Sequence, residues 1–219
     1  MDIAVFGASG PTGLLICQQA VDAGHSVRAV SRRRERLPLP RGTEVEQVLA
    51  DPGTGDGIDA ALSGAQAALS ALGAGSYTRK QIDIYSAGTA NIVAGLRAQG
   101  VGRRLVVVSS GLTYPPPRLN FFADNILFPL LRNVIGKTVY ADMRAMEEYL
   151  LDCDDIDWTV MRPARLINRD HVSDYRLTLD SLGGNFTSRA DLAAAMIAEL
   201  DESPHIRRVV APSTDRHAK

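Results

Sequence analysis

The 219-residue chain is poor in cysteine, close to neutral and without a long uninterrupted apolar run, and each scarcity removes a class of protein. Its two cysteines, Cys17 and Cys153, stand far apart and in no metal-ligand spacing, so neither a metal site nor a disulfide is expected. That usage fits a reducing, cytoplasmic compartment. With a formal charge of −1, nothing marks a surface for nucleic acid or an anionic membrane. No basic segment leads into an apolar run at the start, so no signal peptide is expected. No repeat or low-complexity segment is found. Leu119 to Ile135 is unusual in its many large apolar residues, but Asp124, Arg132 and prolines leave it too short and too interrupted to span a bilayer. It reads as a core or subunit-contact helix, or as an apolar flap over a flat ligand. The remaining partner class is a small molecule, met by a monomer or a homodimer.

Short β-prone runs alternate with helical stretches along the whole chain, the pattern of a mostly parallel sheet with crossover helices on both faces. The length allows one domain or two; the alternation favours a single Rossmann-type, doubly wound α/β domain over residues 1–219. Strands are expected at 2–6, 25–30, 44–49, 66–72, 105–108, 158–161, 175–179 and 208–210. Helices are expected at 58–62, 79–99, 140–151 and 188–200, besides one that starts after Gly13. Ser188 with Asp191 resembles a capping box, a structural feature. Cys17 falls on the apolar face of the first helix and reads as packing.

The first block carries the functional signal. Asp2–Phe6 runs straight into Gly7-Ala8-Ser9-Gly10-Pro11-Thr12-Gly13, after which Leu14, Cys17, Gln18 and Val21 recur at helical spacing, with Gly24 as a stop. Strand, glycine-rich turn and helix in that order aim N–H groups at one point and attract a pyrophosphate. Gly7 would serve the tight turn, Gly10 the approach of phosphate to backbone, and Gly13 close helix packing.

The second strand speaks to which dinucleotide is bound. An NAD site would end this strand in Asp or Glu for the ribose 2′-OH. Here nothing acidic stands between Gly24 and Arg34, and the strand ends at Ser31-Arg32-Arg33-Arg34. Guanidinium groups suit a 2′-phosphate, which favours NADPH. Glu35 pairing with a neighbouring arginine in a solvated loop is the other reading.

The blocks GASGPTG, SRRRERLP, ADPGTGDG, AGTANIVAGLRAQGV, LVVVSSG, DWTVMRP and YRLTLD together resemble the atypical short-chain dehydrogenases/reductases. More narrowly, they are similar to the NAD(P)H-binding, NmrA-like family that includes biliverdin-IXβ reductase, or flavin reductase. The resemblance implies that Gly7, Ser9, Gly10, Pro11, Thr12 and Gly13 line the pyrophosphate. It gives Arg32, with Arg33 or Arg36, the 2′-phosphate. Asp51, next to Pro52, would accept from the adenine amino group, and Leu72-Gly73 would lie along the ribose. Ser109 and Ser110 would stand beside the nicotinamide, with Pro163, Ala164 and Arg165 passing over its carboxamide.

Catalytic short-chain dehydrogenases use Tyr-x-x-x-Lys, whereas this chain has Tyr140-Ala141-Asp142-Met143-Arg144. Arginine does not deprotonate and differs in shape from lysine, though its charge could still favour a phenolate. Ser110, Tyr140 and Arg144 are therefore the catalytic candidates. The leading expectation is an NADPH-dependent reductase of a flat conjugated acceptor such as a flavin, quinone or enone. The alternatives are an NADP(H)-binding sensor without chemistry, and a carbonyl reductase or epimerase that uses Tyr140.

Overall fold

In the computed structural model, which describes residues 1–75, 80–100, 102–115, 120–180, 183–201 and 204–214, the alternation along Asp2–Phe6 (β1) decides where the sheet lies. Ile3 and Val5 pack into one core, Ala4 and Phe6 into another. A strand whose successive side chains enter two different cores is buried on both faces, as a parallel sheet requires. Each such Ile or Phe contributes about 1.5–3 kcal/mol on burial.

Pro11–Asp22 (α1) follows, and the chain returns through Ser26–Ser31 (β2) and Glu46–Leu49 (β3). Then come Ile58–Leu62 (α2), Ala67–Ser70 (β4), Ser86–Gln99 (α3) and Arg104–Val108 (β5). Ala123–Ile135 is helical, with π-helical turns on either side of Phe128–Leu130 (α4). Lys137–Leu151 (α5), Asp157–Met161 (β6), Arg165–Ile167 (β7), Arg176–Leu179 (β8), Phe186–Ser188 (β9), Arg189–Asp201 (α6) and Arg208–Ser213 (β10) complete the order.

Eight strands form one sheet in the order β3-β2-β1-β4-β5-β6-β10-β8. Only the edge pair β10 and β8 is antiparallel. The helices α1 and α6 cover one face, and α2, α3 and α5 the other. The expected doubly wound fold is present, with strand order reversing at β1 and β4, where such sheets open a crevice. At the opposite edge, buried Arg104 donates from Nη2 to Glu199 Oε2 at 2.9 Å and from Nη1 to the Asp157 carbonyl at 2.8 Å. That pair ties the starts of β5 and β6 to the end of α6.

Several element bounds differ from expectation for physical reasons. The helix expected from residue 79 begins at Ser86; residue 79 lies outside the described residues, and 80–85 are not helical. The start is set from α5, where Asp142 accepts from the Tyr85 N–H at 2.8 Å and the Ser86 N–H at 3.2 Å. A distant carboxylate thereby caps α3. The two-stranded parallel pair β7–β9 was not expected, because three-residue strands carry no periodicity to detect. Cys17 is buried as expected, and burial pushes its thiol up to about 12, leaving it inert. Among the described residues no helix is long and apolar enough to cross a membrane. Phe121, 79% exposed, and Val134 point the 121–135 segment outward, so it is not a core helix.

Ser188 caps α6, its Oγ accepting from the Asp191 N–H at 2.9 Å. The Asp191 carboxylate turns elsewhere, accepting from the Ser173 N–H at 2.7 Å, the Ser173 hydroxyl at 2.9 Å and the Thr214 hydroxyl. Burial alone would raise its pKa, but these hydrogen bonds outweigh it and hold the carboxyl below its ordinary range. A depressed carboxyl stabilises the fold fully above its unfolded pKa of about 4 and loses that contribution as pH falls through the lowered value. Asp191→Asn should therefore cost about 1.5–3 kcal/mol at neutral pH. Urea unfolding of both proteins should show the gap shrinking below about pH 4; a gap constant with pH would mean that charge is not its source.

Candidate functional site

Because the parallel strands share one direction, the loops after β2, β1, β4, β5 and β6 meet along one edge, in that spatial order. They enclose a cleft of about 1500 Å³. Its floor begins at the β1–α1 turn. Gly7 has φ +78°, and a Cβ there would stand 2.5 Å from the Ala71 carbonyl oxygen. A Cβ on Gly13 would overlap the Gly7 carbonyl and come 2.8 Å from Ala8 Cα. Both glycines are thus demanded by the fold itself.

Gly10 differs. It sits at the N-cap of α1 with extended backbone, φ −84° and ψ 161°, which any residue adopts. A Cβ there would meet only the Gly7 oxygen, at 3.3 Å, and Gly10 lines the cleft. No side chain caps α1, so the N–H groups of its first turn remain available at the cleft. A bare-backbone cradle before an uncapped helix N-terminus fits a pyrophosphate.

Next to it, Ser31, Arg32 and Arg33 line the cleft from the end of β2. The Ser31 hydroxyl accepts from the Arg33 N–H at 3.0 Å, which fixes the turn. Arg32 lies 4.0 Å from Asp51 Oδ2. Among the described residues Glu35 forms no ion pair, so the pairing considered from sequence does not occur.

Of the residues expected from sequence, Gly7, Ser9, Gly10, Pro11, Thr12, Arg32, Arg33, Pro52, Leu72, Gly73, Ser109, Ser110, Tyr140, Pro163, Ala164 and Arg165 line this one cleft. Gly13, Arg36, Asp51 and Arg144 do not. Gly13 lies behind the turn. Arg36 is exposed. Asp51 Oδ1 accepts from the Gly53 N–H at 3.0 Å, holding its own turn. Arg144 Nη1 donates to the Thr113 carbonyl at 2.9 Å, so the arginine does not stand at the cleft surface as the expected lysine would.

The two serines have different surroundings. Ser110 Oγ accepts from the Leu112 N–H at 3.2 Å and closes a turn. Ser109, 3% exposed, donates to Glu147 Oε1 at 2.5 Å and lies 2.9 Å from the Thr113 hydroxyl. Glu147, 4% exposed, is also paired with Arg162, whose guanidinium lies over the Tyr114 ring. The carboxylate takes the Ser109 proton into its hydrogen bond, so the serine oxygen is left to accept from the Thr113 hydroxyl. The sequence reading missed Glu147. Its signal was a glutamate on the mostly apolar face of α5 that also carries Asp142, with Arg162 on the neighbouring strand end. Tyr85 was also missed as a wall residue; its phenol oxygen accepts from the Ala74 N–H at 3.1 Å.

The far wall is apolar. Leu112, Phe122, Leu127, Phe128, Leu131 and Met143 face the cleft there, so one side of the 121–135 segment lines the site.

A family model described as NAD(P)H-binding matches residues 7–203. The chain belongs to this NAD(P)H-binding family. A UPF0659 protein of Schizosaccharomyces pombe is 26% identical over 94% of this chain and 87% of its own length. A solved Burkholderia pseudomallei structure, provisionally named as an exported protein, is 29% identical and covers 97% of this chain and 99% of its own, with a TM-score of 0.77. A Streptococcus pneumoniae protein provisionally named an NADH-flavin reductase is 23% identical over 98% and 100% of the two chains, TM-score 0.78. A Veillonella parvula short-chain dehydrogenase/reductase solved with NADP is 18% identical over 99% and 95%, TM-score 0.74. These last two share the fold.

Membership gives the glycine contrast a direct test. Gly10→Val should leave a folded protein with unchanged far-ultraviolet circular dichroism and no measurable NADP binding. Gly13→Val should fail to fold, because its side chain has nowhere to go but the Gly7 carbonyl. Titration calorimetry that finds Gly10→Val binding NADP normally would make that turn merely structural.

Proposed function

We propose that the protein is an NADPH-dependent oxidoreductase that delivers hydride to a flat, conjugated acceptor of the flavin, quinone or enone type. The observation that carries this reading is the continuity of the cleft. Exposed arginines lie at its β2 end with no carboxylate among the described lining residues, a bare-backbone cradle follows, and an apolar wall lies past β5. A site for one drug-sized ligand holds about 300–1,000 Å³; at about 1500 Å³ this cleft has room for a dinucleotide and a second flat molecule.

Bound dihydronicotinamide supplies two electrons and one hydrogen as hydride, and the reduced acceptor takes one further proton. The protein's part is orientation. Arg32 and Arg33 would hold the 2′-phosphate, and Ser9, Gly10, Pro11 and Thr12 the pyrophosphate. Ser109, fixed by Glu147, and Pro163–Ala164 would hold the nicotinamide amide. Phe122, Leu127 and Phe128 would cover the acceptor and exclude water. Tyr140 would be the proton donor where one is needed, with Ser110 or solvent as the other source. The engagement of Arg144 with Thr113 supports an acceptor that needs little acid catalysis.

The same arginine supports a second reading, an NADP(H) sensor without turnover. NADPH oxidation followed against flavins, quinones and carbonyl compounds separates the two. Turnover with any of them establishes the reductase, and tight NADP(H) binding without turnover establishes the sensor.

Replacing Arg32 and Arg33 with Ala should weaken NADPH and leave NADH nearly unchanged. Both side chains are exposed, so the low end applies: about 1.5 kcal/mol, or roughly tenfold in Kd. Equal losses for the two cofactors would overturn the 2′-phosphate assignment. Tyr140→Phe should keep most of the activity toward a flavin or quinone. A loss of about 10²–10⁴-fold in kcat, with NADPH affinity intact, would instead mark a carbonyl substrate.

A further inference from the structure

Beyond β6 the cleft carries positive charge that a dinucleotide does not account for. The strand order puts Arg32, Arg33 and the glycine turn over β2 and β1, with β4 and β5 between them and β6. Three interstrand spacings make about 14 Å. A dinucleotide laid across this edge has its phosphates at the first end and its uncharged amide at the other. Yet Arg165, at the start of β7, and Arg189, the first residue of α6, line the cleft together with Asn185. Among the described lining residues there are four arginines and no Asp or Glu.

Neither Arg165 nor Arg189 forms an ion pair with a described residue. Arg189 Nη1 donates to Asn168 Oδ1 at 2.7 Å, which pins one end of the guanidinium. Its Nε is buried with no hydrogen-bond partner. Asp191, two residues on, is committed to Ser173 and Thr214. A buried guanidinium N–H without an acceptor costs its full desolvation. A guanidinium that lines the cleft with no ion-pair partner among the described residues is matched by a carboxylate or phosphate.

We infer that this end of the cleft is an anion subsite, in which Arg189, with Arg165 and Asn185 beside it, holds a carboxylate or phosphate carried by the acceptor. The inference rests on the reductase reading for the word acceptor. The other source of such an anion is the cofactor's own pyrophosphate, since α6 packs against α1, with Gln19 Nε2 donating to the Ala190 carbonyl at 3.2 Å.

Flavin mononucleotide and riboflavin share one ring system and differ by a phosphate, so they serve as the probes. The ratio of their kcat/KM values with NADPH should favour the phosphorylated flavin by at least about tenfold in the unaltered protein. In Arg189→Gln the ratio should fall to within about twofold of one, and in Arg189→Lys, which keeps the charge but loses the planar fork, only part of the preference should return. Melting temperature and NADPH Kd are measured on each variant. A ratio near one in the unaltered protein overturns the subsite, as does a ratio that survives Arg189→Gln. So does a weaker NADPH Kd at unchanged ratio, which would give Arg189 to the pyrophosphate. If neither flavin is reduced, equilibrium binding of the two to protein saturated with NADP still decides. A charge preference lost in Arg189→Gln keeps the subsite while the reductase reading falls, and equal binding of both flavins removes the subsite.

Discussion

The backbone contact between the first turn of α1 and the end of β1 is the constraint on which the site depends. With no side chain at position 13, the helix presses against the Gly7 carbonyl and Ala8 Cα. With none at position 7, the same turn closes to van der Waals range of the β4 exit at Ala71. Two missing Cβ atoms therefore set where the N-terminus of α1 points and how near it stands to the crevice between β1 and β4. An uncapped helix start held there is a fixed partial positive charge at a fixed place. The packing of α6 on α1 then carries that placement across the sheet face to Arg189.

The carboxylates near the cleft work behind its walls. Asp142 caps α3 from α5 and so holds Tyr85, whose phenol oxygen in turn holds the Ala74 N–H at the lip. Glu147 fixes Ser109 and Arg162. Both acids belong to α5, the helix that also presents Tyr140. Keeping negative charge off the surface that would meet phosphates costs burying these carboxylates, one against backbone N–H groups and one in an ion pair with Arg162, a weak stabiliser that fixes geometry. The positive field is left to the four arginines among the described lining residues, where it would attract polyanions.

Much of this was legible in the sequence because its causes are local. The short apolar run of Ile3–Phe6, glycines at three-residue intervals and the arginine run after Ser31 each depend on neighbours a few residues away. Gly24 ended α1 as expected, with φ +85° just beyond the helix. The start of α3 was misjudged because a carboxylate 57 residues away caps it. Residues 121–135 show the same limit. Hydropathy marks them as apolar, yet whether an apolar side chain faces a core, a cleft or solvent depends on what the sheet places beside it, and of two exposed neighbours Phe122 lines the cleft while Phe121 does not.

The sequence by itself determined the fold class and the nature of the β1–α1 turn, because the 2.0 and 3.6 periodicities and the absence of Cβ atoms are properties of the chain. It also settled that nothing acidic stands between Gly24 and Arg34. Only the tertiary structure decided which polar side chains meet. It drew Glu147 to Ser109 and Arg144 to the Thr113 carbonyl. It set Asp51 to hold its own turn, and left Arg189 with no ion pair to a described residue at the far end of the cleft. Hydrogen bonds and ion pairs depend on ångström-scale distances between groups remote in sequence, and those distances exist only once the sheet has fixed the positions of its loops.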